Sequence, residues 1–364
     1  VSGRPTKAAP EWATDAGTTL EPSSGRKATG WAASDRPPAK NFNWFWNTAS
    51  NWIAYLALVQ LKNWILGGGA QTSGAVAAIT SCPTSSAVPE TTIVAVEDGG
   101  ETIYSLDDGL TWAAGSGGTA TLIEDVTSNG SASAPRFVAV GADAGGGAVM
   151  ESTTGATWTD RDPAGTANTL RSVAYDPVGA VFIAVGDNGT ILTSPTGVTW
   201  TSRTSGTTEN LLSVDVQPDG HAKACGLNGT VLRSTDGGVT WQADTTPAAY
   251  ATHDFGALAF SSGAAVWLAV SQQGSVMSCP EDGSAWSEVV DLTGAFEDNT
   301  LANDGGYLWM ARKDGVPIYS IDDGLTWSQV PISFSGGVGG EAVAFTRDAF
   351  WIAQNNDIYR SLRL

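Results

Sequence analysis

The octapeptide SLDDGLTW, Ser105 to Trp112, returns with one substitution as SIDDGLTW, Ser320 to Trp327. A third copy, STDGGVTW, runs from Ser234 to Trp241, and three worn copies end at Trp158, Trp200 and Trp286. Two of the worn copies, ESTTGATW (151–158) and TSPTGVTW (193–200), keep Gly, Thr and Trp but lose the acid. The last, SCPEDGSAW (278–286), carries one additional residue and Ala in place of Thr. Successive tryptophans are 46, 42, 41, 45 and 41 residues apart, the period of one four-stranded propeller blade. Each interval reads alike. After Thr169 come LRSVAYD, VFIAVG, TILTS and VTWTSR, short runs rich in β-branched and aromatic residues and divided by turns at PVG, DNG and PTG. The second run of each interval is apolar throughout, as a strand covered on both faces requires.

Each residue kept in the box has a physical reason to be there. The glycines three before each tryptophan (Gly109, Gly155, Gly197, Gly238, Gly283 and Gly324) supply a turn with φ > 0. The tryptophans (Trp112, Trp158, Trp200, Trp241, Trp286 and Trp327) supply a large apolar face to fill the gap between neighbouring sheets. Asp107, Asp236 and Asp322 can accept hydrogen bonds from the turn's backbone N–H groups. A catalytic centre would not survive the loss of its acid from half its copies, so the box reads as scaffold. Six boxes close six blades. A seventh set, EAVAFT, AFWIAQ and NNDIYRSLRL (341–364), stops after three strands without a tryptophan. A segment between Trp64 and Thr80 is expected to complete it and remove the free edges. The expected fold is all-β: a seven-bladed rather than six-bladed propeller of four-stranded antiparallel blades, preceded by an extended arm and one helix.

S-x-D-x-G-x-x-W repeats of this kind resemble the Asp-box (BNR) motif of sialidases, sortilin-type receptors, some glycoside hydrolases and photosystem assembly factors. The resemblance implies a hairpin between the third and fourth strands of a blade, away from any catalytic face.

Residues 1–66 stand outside the repeat. They carry a charge of +3 within a total of −19, leaving −22 on residues 67–364. A domain so acidic repels nucleic acid and anionic surfaces. Residues 1–42, rich in Pro, Gly, Ser and Lys, read as an extended attachment arm. Residues 43–66 read as a helix with Trp52, Leu56 and Val59 on one face, and residues 67–364 as the propeller. The helix can pack under the propeller, against copies of itself or on a membrane surface; its apolar run is too short for membrane insertion. No apolar leader with a basic start is present, so no secretory signal is expected. Cys82, Cys225 and Cys279 are widely spaced without a CxxC and are expected to be reduced, buried thiols.

The arm has a resemblance of its own. P-x-W-A at Pro10–Ala13, PSSGRKATGW at Pro22–Trp31, RPPA at Arg36–Ala39 and FNWFWN at Phe42–Asn47 follow one another in fixed order. The run is similar to the N-terminal segment of many bacteriophage tail-fibre, tail-spike and related virion proteins. There the segment precedes a variable C-terminal domain and is associated with attachment to the particle. Carried over, the resemblance implies attachment through Trp12, Trp31, Arg36, Pro37, Pro38, Phe42, Trp44, Trp46 and Trp52. It implies tail or baseplate proteins as partners, a virion location after assembly in the host cytoplasm and, by analogy with fibres, a trimer. The physics agrees, because so many indoles on an arm without a core need a partner to cover them.

The expectation is therefore a virion structural protein displaying its propeller for host-surface or glycan recognition. The alternative is a glycan-cleaving enzyme, sialidase-like or another glycoside hydrolase, on the same scaffold. Sialidases of the Asp-box type use three arginines, a Tyr–Glu pair and an Asp acid, and no motif around an arginine triad is recognisable here. The acids of the propeller offer many carboxylate pairs but no pattern that selects one. A photosystem-type assembly factor would share the boxes but leave the arm unexplained. No catalytic residue, cofactor or metal site is assigned; His221 and His253 read as surface or turn residues. Tyr250, His253, Phe255 and Phe296 form the candidate ligand face, grouped with the first-to-second-strand turns and blade-connecting loops.

Overall fold

The computed structural model describes residues 65–66, 75–83, 91–161, 166–281, 283, 285–292, 296–304, 307–312, 318–320, 322–329, 340–346, 349–354 and 357–360. These residues form an all-β, propeller-like assembly of four-stranded antiparallel sheets, seven in number. The first sheet comprises Val76–Pro83, Thr91–Glu97, Thr102–Ser105 and Ala113–Ala114. The second comprises Leu122–Ser128, Phe137–Asp143, Gly146–Ser152 and Thr159–Asp160. Leu170–Asp176, Val181–Gly186, Thr190–Ser194 and Thr201–Arg203 make the third. The fourth is Leu211–Val216, Ala222–Gly226, Val231–Ser234 and Gln242–Ala243, and the fifth Phe255–Ser261, Val266–Ser271, Ser275–Pro280 and Ser287–Asp291. Phe296–Asp304, Tyr307–Arg312, Ile318–Ser320 and Ser328–Gln329 form the sixth. The seventh joins Gly340–Thr346, Ala349–Gln354 and Asp357–Arg360 to Ile65–Leu66, drawn from the other end of the chain.

The first six sheets are meanders in chain order, and the first strand of each lies against the first strand of the next sheet. The first strand of the seventh sheet in turn meets that of the first. Ile65 pairs with Arg360 and Leu66 with Tyr359, antiparallel, inside the 64–80 segment expected to close the ring. This moves the boundary drawn at 66/67. Ile65 and Leu66 are strand rather than the end of a helix, because Asp357–Arg360 offers them an open edge of backbone donors and acceptors. The rest of the helix expected over 43–66, and the arm over 1–42 with its attachment residues, lie outside the described residues.

The core is divided into seams between sheets. Val94, Val96, Phe137, Met150 and Trp158 fill the one between the first and second sheets, and Ile183, Val185, Leu211, Leu232 and Trp241 the one between the third and fourth. The second strands are covered on both faces, as in the burial of Phe182 through Gly186. Cys82, Cys225 and Cys279 are free and buried. All seven first strands carry a register shift near their start, for example between Ile123 and Asp125, Leu170 and Ser172, and Leu211 and Ser213. The bulge turns the following side chain toward the next sheet. There Asp125 accepts from Val173 N at 2.9 Å and Ser172 Oγ at 2.9 Å, Ser172 Oγ accepts from Val214 N at 3.2 Å, and Ser213 Oγ accepts from Leu258 N at 3.2 Å. The second to fifth sheets are thus stapled in succession by side-chain bonds at the hub.

An antiparallel meander fixes the two ends of the ring. First-to-second-strand turns share one end with the third-to-fourth-strand hairpins; sheet-connecting loops share the other with the second-to-third turns. The candidate ligand face had grouped first-to-second turns with connecting loops, and the alternation of strand direction puts them at opposite ends. Ile65–Leu66 occupies a fourth-strand position, so the chain enters the ring at the hairpin end.

Candidate functional site

The repeated box is a self-contained hairpin. In the first copy Ser105 Oγ accepts from Gly109 N at 2.8 Å and donates to Asp107 Oδ1 at 2.8 Å. Asp107 accepts from Thr111 N at 2.8 Å and Thr111 Oγ1 at 2.6 Å. Ser234, Asp236, Gly238 and Thr240 repeat these bonds, as do Ser320, Asp322, Gly324 and Thr326. The worn copies are one residue shorter between Ser and Gly and use hydroxyls. Ser152 Oγ accepts from Gly155 N and Ser194 Oγ from Gly197 N, both at 2.8 Å. Thr154 Oγ1 accepts from Ala156 N at 3.2 Å and Thr196 Oγ1 from Val198 N at 3.3 Å, standing in for the absent carboxylate.

Glycine is required twice over in the regular boxes; Gly283 of the irregular box, with its additional residue, does not adopt the positive φ expected of it. Gly155 has φ +75°, and a Cβ there would lie 2.6 Å from Val94 Cγ2 of the preceding sheet; at Gly238, φ +79°, it would lie 2.9 Å from Ile183 Cδ1. The indole N–H of Trp158, Trp200, Trp241 and Trp327 donates to the carbonyl of its own box glycine at 2.9–3.2 Å. Trp286, from the irregular box, donates instead to Asp244 Oδ2 at 3.1 Å. Asp244 and Lys223, with side chains 0% and 4% exposed, form an ion pair. Lys223 also donates to the Gly283 carbonyl at 3.3 Å and lies 5.4 Å from the Trp286 ring. Arg233 Nε stands 3.1 Å from Asp244 Oδ1. A cation from the fourth sheet therefore contacts the irregular box of the fifth.

These box carboxylates are occupied by their own turns. Desolvation pushes the Asp107 carboxyl up, but hydrogen bonds from the Thr111 hydroxyl and backbone and the Ser105 hydroxyl outweigh it and hold the group below the ordinary aspartate range. Asp236 and Asp322 are lowered in the same way. Their contribution to stability is present above the unfolded aspartate value and is lost as pH falls through the folded values.

At the hub the first strands surround a cavity of about 470 Å³ whose wall includes Asp125, Thr127, Ser128, Tyr175, Asp215 and Ser262. No Arg, Lys or His is among its described lining residues. Asp215 accepts from Phe260 N and Val216 N, both at 2.8 Å, yet burial pushes its pKa up to about 6. The sign is opposite to that of the boxes. Protonation is favoured in the folded chain, so Asp215 favours folding below the unfolded aspartate value and loses that contribution as pH rises to about 6. In Asp215→Asn, thermal melts between pH 4 and 6 are expected to lose this slope. The melting temperature also falls overall, because one carboxamide oxygen cannot serve two N–H donors, at about 1–3 kcal/mol. An unchanged slope would show that Asp215 titrates like an exposed acid.

The arginines whose side chains are described do not converge on one site. Arg136 and Arg161 both pair with Glu151, Arg171 pairs with Glu124 and Asp187, Arg203 donates to Thr193, and Arg233 pairs with Asp244. Among the described residues no group of three or more His, Cys, Asp and Glu is placed to hold a metal. His221 sits in a turn against Asp219.

The candidate ligand residues separate. Tyr250 and His253 lie together in the loop joining the fourth and fifth sheets, ring centroids 5.0 Å apart and half-buried. Phe255 does not belong with them. It is 0% exposed, because the loop ends at Asp254 and the strand it opens carries it into the core with Cys225 and Met277. The side chain of Phe296 lies outside the described residues.

Comparison with known proteins places this architecture. The chain matches a catalytically inactive virginiamycin B lyase from Staphylococcus aureus with quinupristin at TM-score 0.65 and 12% identity, covering 83% of this chain and 98% of that one. The selenomethionine form of the same lyase gives TM-score 0.64 and 12% identity, over 82% and 97%. YCF48 from Cyanidioschyzon merolae gives TM-score 0.57 and 16% identity, over 80% and 96%. The chain is a β-propeller of four-stranded blades. No protein-family model matches it, and no curated protein does. At these identities the likeness is one of fold, and the propeller's function has to be argued from its own residues.

Proposed function

We propose that this propeller is a structural protein of a bacteriophage virion, carried by the tail or a tail fibre. Its N-terminal segment attaches to tail or baseplate proteins, and its seven blades form a display ring for a host-surface glycan or receptor. The observation that carries the reading is the order of motifs from Pro10 to Asn47, which covers an aromatic-rich arm that has no role in the repeat. The ring's construction supports it. Six Asp-box hairpins spend their carboxylates, hydroxyls or indoles on holding blades together, which leaves them nothing for catalysis. The chain enters the ring at the hairpin end, where Leu106, Leu110, Val239 and Leu325 stand exposed, as an end turned toward a partner would need. Trimerisation follows from the analogy with fibres.

Two deletions test the reading in particles. Removing residues 1–63 leaves the Ile65–Leu66 clasp in place; the shortened chain is expected to melt like the full chain but to be absent from purified particles. Removing residues 1–66 takes the clasp as well and is expected to lower the melting temperature by roughly 2–4 °C and promote association through the bared edge. Particle association retained by the 1–63 deletion would overturn the attachment role. Release of reducing sugar from host polysaccharide by the full chain would favour the glycan-cleaving alternative.

A further inference from the structure

We infer that the Tyr250–His253 loop, at the seam of the fourth and fifth blades, is a binding subsite for an uncharged pyranose. The inference rests on the reading of the ring as a glycan-recognising display and adds where the sugar sits and which sugars are refused. The loop is held in one shape by its own backbone. Tyr250 N donates to the Pro247 carbonyl at 2.9 Å, His253 N to the Tyr250 carbonyl at 3.0 Å, and Gly229 N of the neighbouring turn to the His253 carbonyl at 2.7 Å. Thr246 Oγ1 closes the other side on the Gly229 carbonyl at 3.2 Å. A Cβ on Gly229 would lie 2.6 Å from the Tyr250 carbonyl oxygen, so turn and loop are in direct contact.

On this support the two rings stand at 60° to each other, and the Tyr250 hydroxyl bonds to Glu288 of the fifth blade's outer strand. Glu288 and Asp291 are exposed beside it. That hydroxyl stays protonated, since the Glu288 hydrogen bond, desolvation and the two carboxylates push it up to about 12. Asn228 extends the polar edge, donating from its backbone to Asp254 Oδ1 at 3.1 Å and from Nδ2 to Glu209 Oε2 at 2.8 Å. A preordered aromatic edge flanked by acceptors suits a ring with one C–H face and several hydroxyl donors. The same carboxylates, without a cation among the described residues of the cluster, repel sialic acids, uronic acids and phosphosugars. The loop lies at the end of the ring opposite the one where the chain enters, which leaves it open to a surface in front of the particle.

Saturation-transfer NMR on the full chain tests this with three probes: maltotriose, chitotriose and sialyllactose. One or both neutral trisaccharides are expected to receive saturation, and sialyllactose none. Tyr250→Ala is expected to weaken the neutral probe about tenfold, whereas Tyr250→Phe, which keeps the ring, stays within about twofold. Equal melting temperatures for both variants exclude misfolding as the cause. Full binding by Tyr250→Ala overturns the subsite while leaving glycan recognition in place. Failure of both neutral probes, or preference for sialyllactose, overturns the inference outright. Particle association of the 1–63 deletion reports on the attachment reading separately.

Discussion

Trp158→Ala is expected to cost about 3–5 kcal/mol in urea unfolding, the range for removing a large side chain from a packed interior. Trp158 is 4% exposed and packs with Val94 and Val96 of the first blade and Phe137 and Met150 of its own. Its N–H closes on the Gly155 carbonyl at 3.0 Å, and Gly155 is itself pressed against Val94. Truncation leaves a void between two sheets whose first strands are held together by the Ser128 Oγ bond to the Ser81 carbonyl at 2.6 Å, which limits their collapse into it. Asp107→Ala is the useful contrast. It opens one exposed turn and removes hydrogen bonds made at the surface, a loss of about 1 kcal/mol. Were Trp158→Ala no more harmful than Asp107→Ala, the indoles would be decoration on the seams rather than their filling.

The second large effect is expected at Lys223. Lys223→Met removes the buried partner of Asp244, whose side chain is 0% exposed, and leaves that carboxylate to the more exposed Arg233, at a cost of about 3 kcal/mol, the low end of the range for breaking a buried pair. Adding Asp244→Asn is expected to recover part of the loss, since the under-compensated buried charge is gone, an oxygen remains for the Trp286 N–H, and Arg233 is exposed enough to be solvated without it. A double-mutant cycle by denaturant unfolding reads the coupling directly. Additive single effects would mean that Lys223 and Asp244 are stabilised separately. The damage is also expected to be local. The blade-five box leans on Lys223 through the Gly283 carbonyl, so hydrogen exchange should accelerate there before it does in the complete boxes.

The parts of the fold that repeat were legible. Spacing between tryptophans marked the blades, and Gly before Trp marked the hairpin, because each is a local demand that a short stretch must meet. The three-strand remainder at residues 341–364 implied a closing strand, and Ile65–Leu66 is that strand. What escaped was set by contacts between sheets. Asp125, Ser172 and Ser213 are ordinary polar residues in their own runs, and only the bulge before each aims it at the next blade. Lys223, within HAKACG, interrupts an apolar run in the way a surface residue would. Its burial depends on Asp244 and Trp286, which are distant in sequence. Phe255 follows Tyr250 and His253 closely in sequence, and only the strand boundary at Phe255 divides it from them. In sequence the worn boxes show only the loss of their acid. Thr154 and Thr196 could have been recognised as substitutes, since a hydroxyl two residues after Ser fits the same turn.

Closure by a strand from the other end of the chain has a mechanical consequence. Tension arriving along the chain ahead of Ile65 passes into the ring through its ladder with Tyr359 and Arg360, the two rungs among the described residues that join it to the seventh sheet. Every other sheet is built from one continuous stretch of chain and bears none of it directly. Under a pull the clasp is the mechanical fuse: it parts first and relieves the tryptophan-wedged seams beyond it.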